Sequence, residues 1–88
     1  MTVIWAARAL SDLAAIYAYV SADSAEATAR VIDRLMAAAG SLASFPHLGR
    51  PSRLAGRREL VVDQYVVTYR VHREEIRVLA VEPGARRR

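Results

Sequence analysis

With 88 residues the chain has room for one domain spanning 1–88 and a core of modest size. A hydrophobic fraction of 53% is high for that length, so part of it has to pack a tight core or face a partner. The net charge of +4 rests on arginine with no lysine, and the absence of cysteine excludes a disulfide framework and a thiolate metal site.

Val3-Ile4-Trp5 reads as a short opening strand. From Ala6 the period lengthens. Leu10, Leu13, Tyr17 and Val20 fall on one helical face, Arg8, Asp12 and Ala15 lie off it, and the helix ends near Ser21-Ala22. Asp23-Ser24-Ala25-Glu26 then reads as a capping box with Asp23 as the cap. It opens a second helix whose stripe is Thr28, Ile32, Leu35, Ala39 and Leu42. Gly40 weakens this helix by about 1 kcal/mol relative to alanine. Leu42 continues the stripe, so the helix extends to about Ser44, where Phe45-Pro46 stops it. The short link between the two makes an antiparallel helical hairpin.

His47 to Gly56 is a loop carrying Arg50 and Arg53. Three strands follow, Arg58 to Val62, Tyr65 to His72 and Glu75 to Val81, joined by turns at Asp63-Gln64 and Arg73-Glu74. Neither turn contains glycine, which leaves its type open. Pro83-Gly84 breaks the sheet, and Ala85-Arg86-Arg87-Arg88 is a basic tail. The order is β-α-α-β-β-β. This predicts an α+β fold, with the helical hairpin on one face of a small, mainly antiparallel sheet and the other face open and edged by arginines. Trp5, Tyr17, Leu35 and Tyr69 are assigned to the core, and Tyr65 is either core or a residue that stacks on a base.

Charge is uneven along the chain. Residues 1–48 carry three arginines against four acids, a net of −1, whereas residues 49–88 carry ten against five, a net of +5. A basic half points to nucleic acid or an acidic protein as partner, although a solvated face has the same composition. The N-terminus has no basic segment followed by a long apolar run, and no stretch is apolar enough to span a membrane. A cytoplasmic protein without cofactor or metal is expected.

Trp5, Asp12-Leu13, Ile16 and Tyr19-Val20 resemble the opening of the RelE/ParE toxin superfamily. Phe45-Pro46-His47-Leu48-Gly49-Arg50 resembles its P-x-x-G-R loop. Arg58-Glu59-Leu60, Tyr65 and Tyr69-Arg70-Val71 are similar to its central strands, and Ile76 to Val81 to its closing strand. The likeness covers nearly the whole chain. It implies the toxin of a bacterial type II toxin–antitoxin system, held in a hetero-oligomer by a cognate antitoxin that wraps across apolar grooves.

The superfamily has two chemistries. The RelE-like branch cleaves messenger RNA on the ribosome, which requires a base, cations around the phosphate and an acid. That branch usually carries a basic residue after the first strand tyrosine, where this chain has Val66, and a tyrosine or histidine near the C-terminus, where it has only Glu82 and arginines. If the chain is a nuclease, Arg57, Arg58, Arg70 and Arg77 are the phosphate clamps and Glu59 or His72 moves the proton. Glu59 also reads as part of a surface ion pair, and His72 as a solvated turn residue. The ParE-like branch poisons DNA gyrase and needs no catalytic constellation. The resemblance favours this branch, with Arg70, Arg77, Arg86, Arg87 and Arg88 as contacts to gyrase or its DNA. A third reading is an inactive toxin serving as an antitoxin-binding or corepressor module.

Overall fold

The computed structural model describes residues 1–21 and 24–87, without the side chains of Val20, Ser21, Arg86 and Arg87. Its elements are β1 (Thr2–Trp5), α1 (Ala7–Ser21), α2 (Ala25–Ser41), β2 (Arg50–Pro51), β3 (Arg57–Val62), β4 (Tyr65–His72) and β5 (Glu75–Pro83), followed by a 3₁₀ turn at Gly84–Arg87. The strands form one sheet in the order β1-β5-β4-β3-β2. The antiparallel meander β3–β4–β5 is as expected, and β1 joins it parallel to β5. The expected architecture therefore holds: both helices pack on one face of a mixed sheet, and the other face is open.

The differences lie at boundaries. The loop after the helices contains the two-residue strand β2, paired with Arg58 and Glu59. β3 starts one residue early, at Arg57, and β5 runs on to Pro83 because Pro83 and Glu82 face Tyr65 and Val66 across the ladder. Asp63 and Arg73 supply the left-handed conformation, φ 55° and 56°, at the first turn residue where glycine would be easier. The helix cap is Ser24, whose hydroxyl accepts from Ala27 N at 3.2 Å; the expected cap, Asp23, lies outside the described residues. α2 ends at Ser41 and not near Ser44. Its last turn tightens, with Leu42, Ala43 and Ser44 each bonding a carbonyl three residues back.

The apolar stripe of α2 is as expected: Thr28, Leu35, Ala39 and Leu42 are buried, with Ile32 half-buried. Thr28 tolerates burial because its hydroxyl donates to Ser24 O at 2.8 Å. The stripe of α1 is rotated from the expected one. Ala9, Leu13 and Ile16 face the sheet, whereas Leu10 and Tyr17 are 53% and 57% exposed. Tyr17 is thus not a core residue. Ala9 sets the rotation, because its small side chain lets the helix approach the sheet backbone. Trp5 and Tyr65 pack against the core at its margin, and Tyr69 is fully buried.

That rotation turns Asp12 inward. β1 ends at Trp5, opposite Val78, so β5 beyond that point has no strand on this side. A bulge at Leu79, where Tyr69 faces Val78 and Thr68 faces Ala80, also shifts the ladder. The Asp12 carboxylate fills the gap by accepting from Val81 N at 2.8 Å. Asp12→Ala strands that amide and is expected to cost about 2 kcal/mol, typical of a charge-assisted bond to a part-buried donor. Asp12→Asn should retain much of it. Urea denaturation of both variants measures the difference.

Candidate functional site

Alternation along the strands divides the sheet. Leu60, Val62, Tyr65, Val67, Tyr69, Ile76 and Val78 point to the helices. Arg57, Glu59, Thr68, Arg70, His72, Glu75 and Arg77 take the opposite, open face. Register then aligns three of the expected arginines. Arg57 lies opposite Arg70, and Arg70 opposite Arg77, in one row across β3, β4 and β5. Like charges directly opposite one another destabilise a sheet. Glu75 offsets one of them, holding Arg77 at 3.0 Å. Arg57 and Arg70 are exposed and have no ion pair among the described residues.

Arg58 does not join this row. It faces the helix side, where Nη1 donates to Gly49 O at 2.7 Å. The same loop is tied down by Tyr69, whose hydroxyl accepts from Gly49 N at 2.9 Å and donates to Pro46 O at 2.8 Å. The P-x-x-G-R segment is therefore a structural clasp around a buried tyrosine. Glu59 sits one row along from the arginines, opposite Thr68, and is held by Arg50 of β2 at 3.5 Å. The expected surface ion pair is thus present. His72 lies one row beyond them on the other side, exposed and opposite Glu75. His47 is an exposed loop residue. Arg86 and Arg87 lie in the 3₁₀ turn, with side chains outside the described set, and Arg88 lies outside the described residues.

Two hollows adjoin this surface. One, of about 260 Å³, is lined by Arg8, Leu54, Arg57, Thr68, Leu79, Ala80 and Glu82. The other, an open groove of about 510 Å³, runs between α1 and the end of β5 and is lined by Ala15, Ile16, Tyr19, Tyr65, Val81 and Pro83 among others. Leu10 and Tyr17 leave apolar surface on one side of α1, and Tyr19, 79% exposed, stands on the opposite side beside the groove. Neither Arg8 nor Thr68 was evident as a site residue from sequence. Thr68 carries no motif, and only its register places it beside Arg57. Among the described residues no cluster of three histidines, cysteines or acids could hold a metal ion, and no helix is long and apolar enough to cross a membrane.

Residues 3–88 match the family model described as ParE toxin of type II toxin-antitoxin system, parDE. The chain is 40% identical over 79 residues to Y4kP of Sinorhizobium fredii, covering 88% of this chain and 81% of that protein. It is 38% identical over 84 residues to Toxin RelE2 of Caulobacter vibrioides, covering 96% of each. Among solved structures it is similar to a chain of the chromosomal ParDE TA system from P. aeruginosa, with a TM-score of 0.82 and 27% identity over 94% of this chain and 95% of that one.

Proposed function

Because the chain belongs to the ParE toxin family of type II toxin–antitoxin systems, we propose that it arrests growth in the cytoplasm by poisoning DNA gyrase, and that a cognate antitoxin neutralises it. The observation that carries the target is the composition of the open face. Three arginines stand in one row, and the groups that cleavage would need are engaged or remote: Arg58 is turned to the other face and Glu59 is held by Arg50. Such a face binds charge, and its carboxylates Glu59 and Glu75 are each held by an arginine, which suits a poison acting by contact. The groove beside Tyr19 and Tyr65, lined by Ala15, Ile16, Val81 and Pro83 together with Arg8, Asp12, Gln64 and Glu82, supports an amphipathic antitoxin segment laid along that side of α1.

The second reading is ribosome-dependent cleavage of messenger RNA. It draws on the likeness to Toxin RelE2 and on the presence of Glu59 and His72 on the same face as the row. Gyrase supercoiling with purified, antitoxin-free protein separates the two. Dose-dependent inhibition with trapped cleaved DNA, reversed by the antitoxin, is expected. Arg70→Ala and removal of Arg86–Arg88 should each weaken inhibition by about tenfold, the equivalent of 1.4 kcal/mol, without lowering the thermal midpoint. Full inhibition by both folded variants would remove these residues from the target contact. No inhibition by folded wild-type protein, with new transcript ends in expressing cells, would replace the gyrase reading with the nuclease.

A further inference from the structure

The hollow on the open face contains a polar group with nothing to bond. Thr68 is 5% exposed, lines the hollow between Arg57 and Ala80, and its Oγ1 has no hydrogen-bond partner. A buried hydroxyl left in that state is expensive unless something enters to satisfy it. Arg57, without an ion pair among the described residues, stands on one side of the hollow, so an anion with acceptor oxygens is the ligand that suits the site; Arg8 on another side is engaged by Asp12 and Glu82. The Glu82 carboxylate on the rim is neutralised by Arg8 at 3.4 Å. The row of arginines runs alongside this hollow, across the same three strands. Neighbouring strands lie about 4.8 Å apart, so Arg57, Arg70 and Arg77 extend over about 10 Å. That length is on the scale of roughly two to three successive phosphates of one DNA strand, which lie farther apart along the backbone than their rise of about 3.4 Å along the axis.

We propose that Arg57, Arg70 and Arg77, with the Thr68 hydroxyl beside the middle of the row, form a docking strip for the phosphate backbone of duplex DNA. The partner rests on the gyrase reading, since the target then contains DNA; the strip itself rests on register and the unpaired hydroxyl. Duplex is favoured over single strands because the face offers no phenylalanine, tyrosine or tryptophan for a splayed base. Tyr65 and Tyr69 point to the helices, Trp5 packs on the core, Tyr17 and Tyr19 are on α1, and Phe45 is in the loop after α2. Contact with phosphates alone is independent of sequence and strongly dependent on salt.

The test is fluorescence anisotropy of a short labelled duplex of arbitrary sequence, titrated with the whole protein across a salt series and without gyrase. The wild type should bind with a log–log salt slope of about −3, as three phosphate contacts require. Arg57→Gln and Arg70→Gln should each reduce the slope by about one. Thr68→Val, of the same shape, should weaken binding without changing the slope. Arg30→Gln, exposed on α2, should change neither. Absence of duplex binding by folded protein, slopes that ignore the row, or tighter binding and cleavage of single-stranded RNA would each overturn the strip. Since gyrase is absent, intact DNA binding with failed supercoiling inhibition sinks only the gyrase reading, and the converse sinks only the strip.

Discussion

Gly49→Ala is expected to cost about 3 kcal/mol, the upper end for overpacking, and to lower the Tm by roughly 12–24 °C for a domain of this size. A Cβ at this position would lie 2.7 Å from Glu59 O, 2.9 Å from Glu59 C and 2.8 Å from Tyr69 Cε1. Two of those atoms are strand backbone and the third belongs to a fully buried ring, so nothing nearby can give way cheaply. The loop cannot retreat either. Gly49 N is bonded to the Tyr69 hydroxyl and Gly49 O to Arg58. Tyr69→Phe isolates the hydrogen-bond component. It leaves the space intact but deprives Gly49 N and Pro46 O of their partner, for an expected loss of about 1–3 kcal/mol. Thermal unfolding followed by circular dichroism reads both. A Gly49→Ala variant as stable as wild type would mean that the clasp is not closed in solution.

Leu35→Ala should cost about 2–5 kcal/mol, while Leu10→Ala and Tyr17→Ala should stay within about 0.5 kcal/mol of wild type. Leu35 is 1% exposed in the main core, among Ala9, Ile16, Val67, Val78 and Val81. Leu10 and Tyr17 stand on the outward side of α1, more than half exposed. Urea midpoints at a constant m-value measure the contrast. If Leu10→Ala or Tyr17→Ala proved as costly as Leu35→Ala, the helix would be rotated to the stripe Leu10, Leu13, Tyr17. Tyr19→Ala in an antitoxin pull-down should weaken capture, because Tyr19 is exposed and lines the groove that the partner segment would cover.

The contrast between the two helices shows why part of the fold was legible and part was not. In α2 the large apolar residues Ile32, Leu35 and Leu42 are also the buried ones, so periodicity located its inner face. In α1 the large residues Leu10 and Tyr17 face outward while a small one, Ala9, faces inward beside Leu13 and Ile16. Periodicity weighs side chains by size and has no means of telling a core face from a partner face. The chain ends of the elements were harder still. Ser24 and the tight turn after Ser41 depend on hydrogen bonds that compete with the caps suggested by residue type.

The candidate site divides in the same way. That the second half of the chain is arginine-rich and strand-forming is legible residue by residue. Arg57 and Arg58, adjacent and chemically identical, could not be told apart until alternation about the β3–β4 register sent one to the open face and the other into the clasp. From the order of residues alone came the β-α-α-β-β-β arrangement, the meander, the core role of Leu35 and Tyr69, and the toxin superfamily, because these follow from local periodicity and from motifs read in series. Tertiary structure alone decided the inner face of α1, the capping of Val81 by Asp12, the row of three arginines and the stranded hydroxyl of Thr68. Each of these depends on which strands become neighbours and in what register, and pairing between distant segments is set by the packing of the whole sheet against its helices.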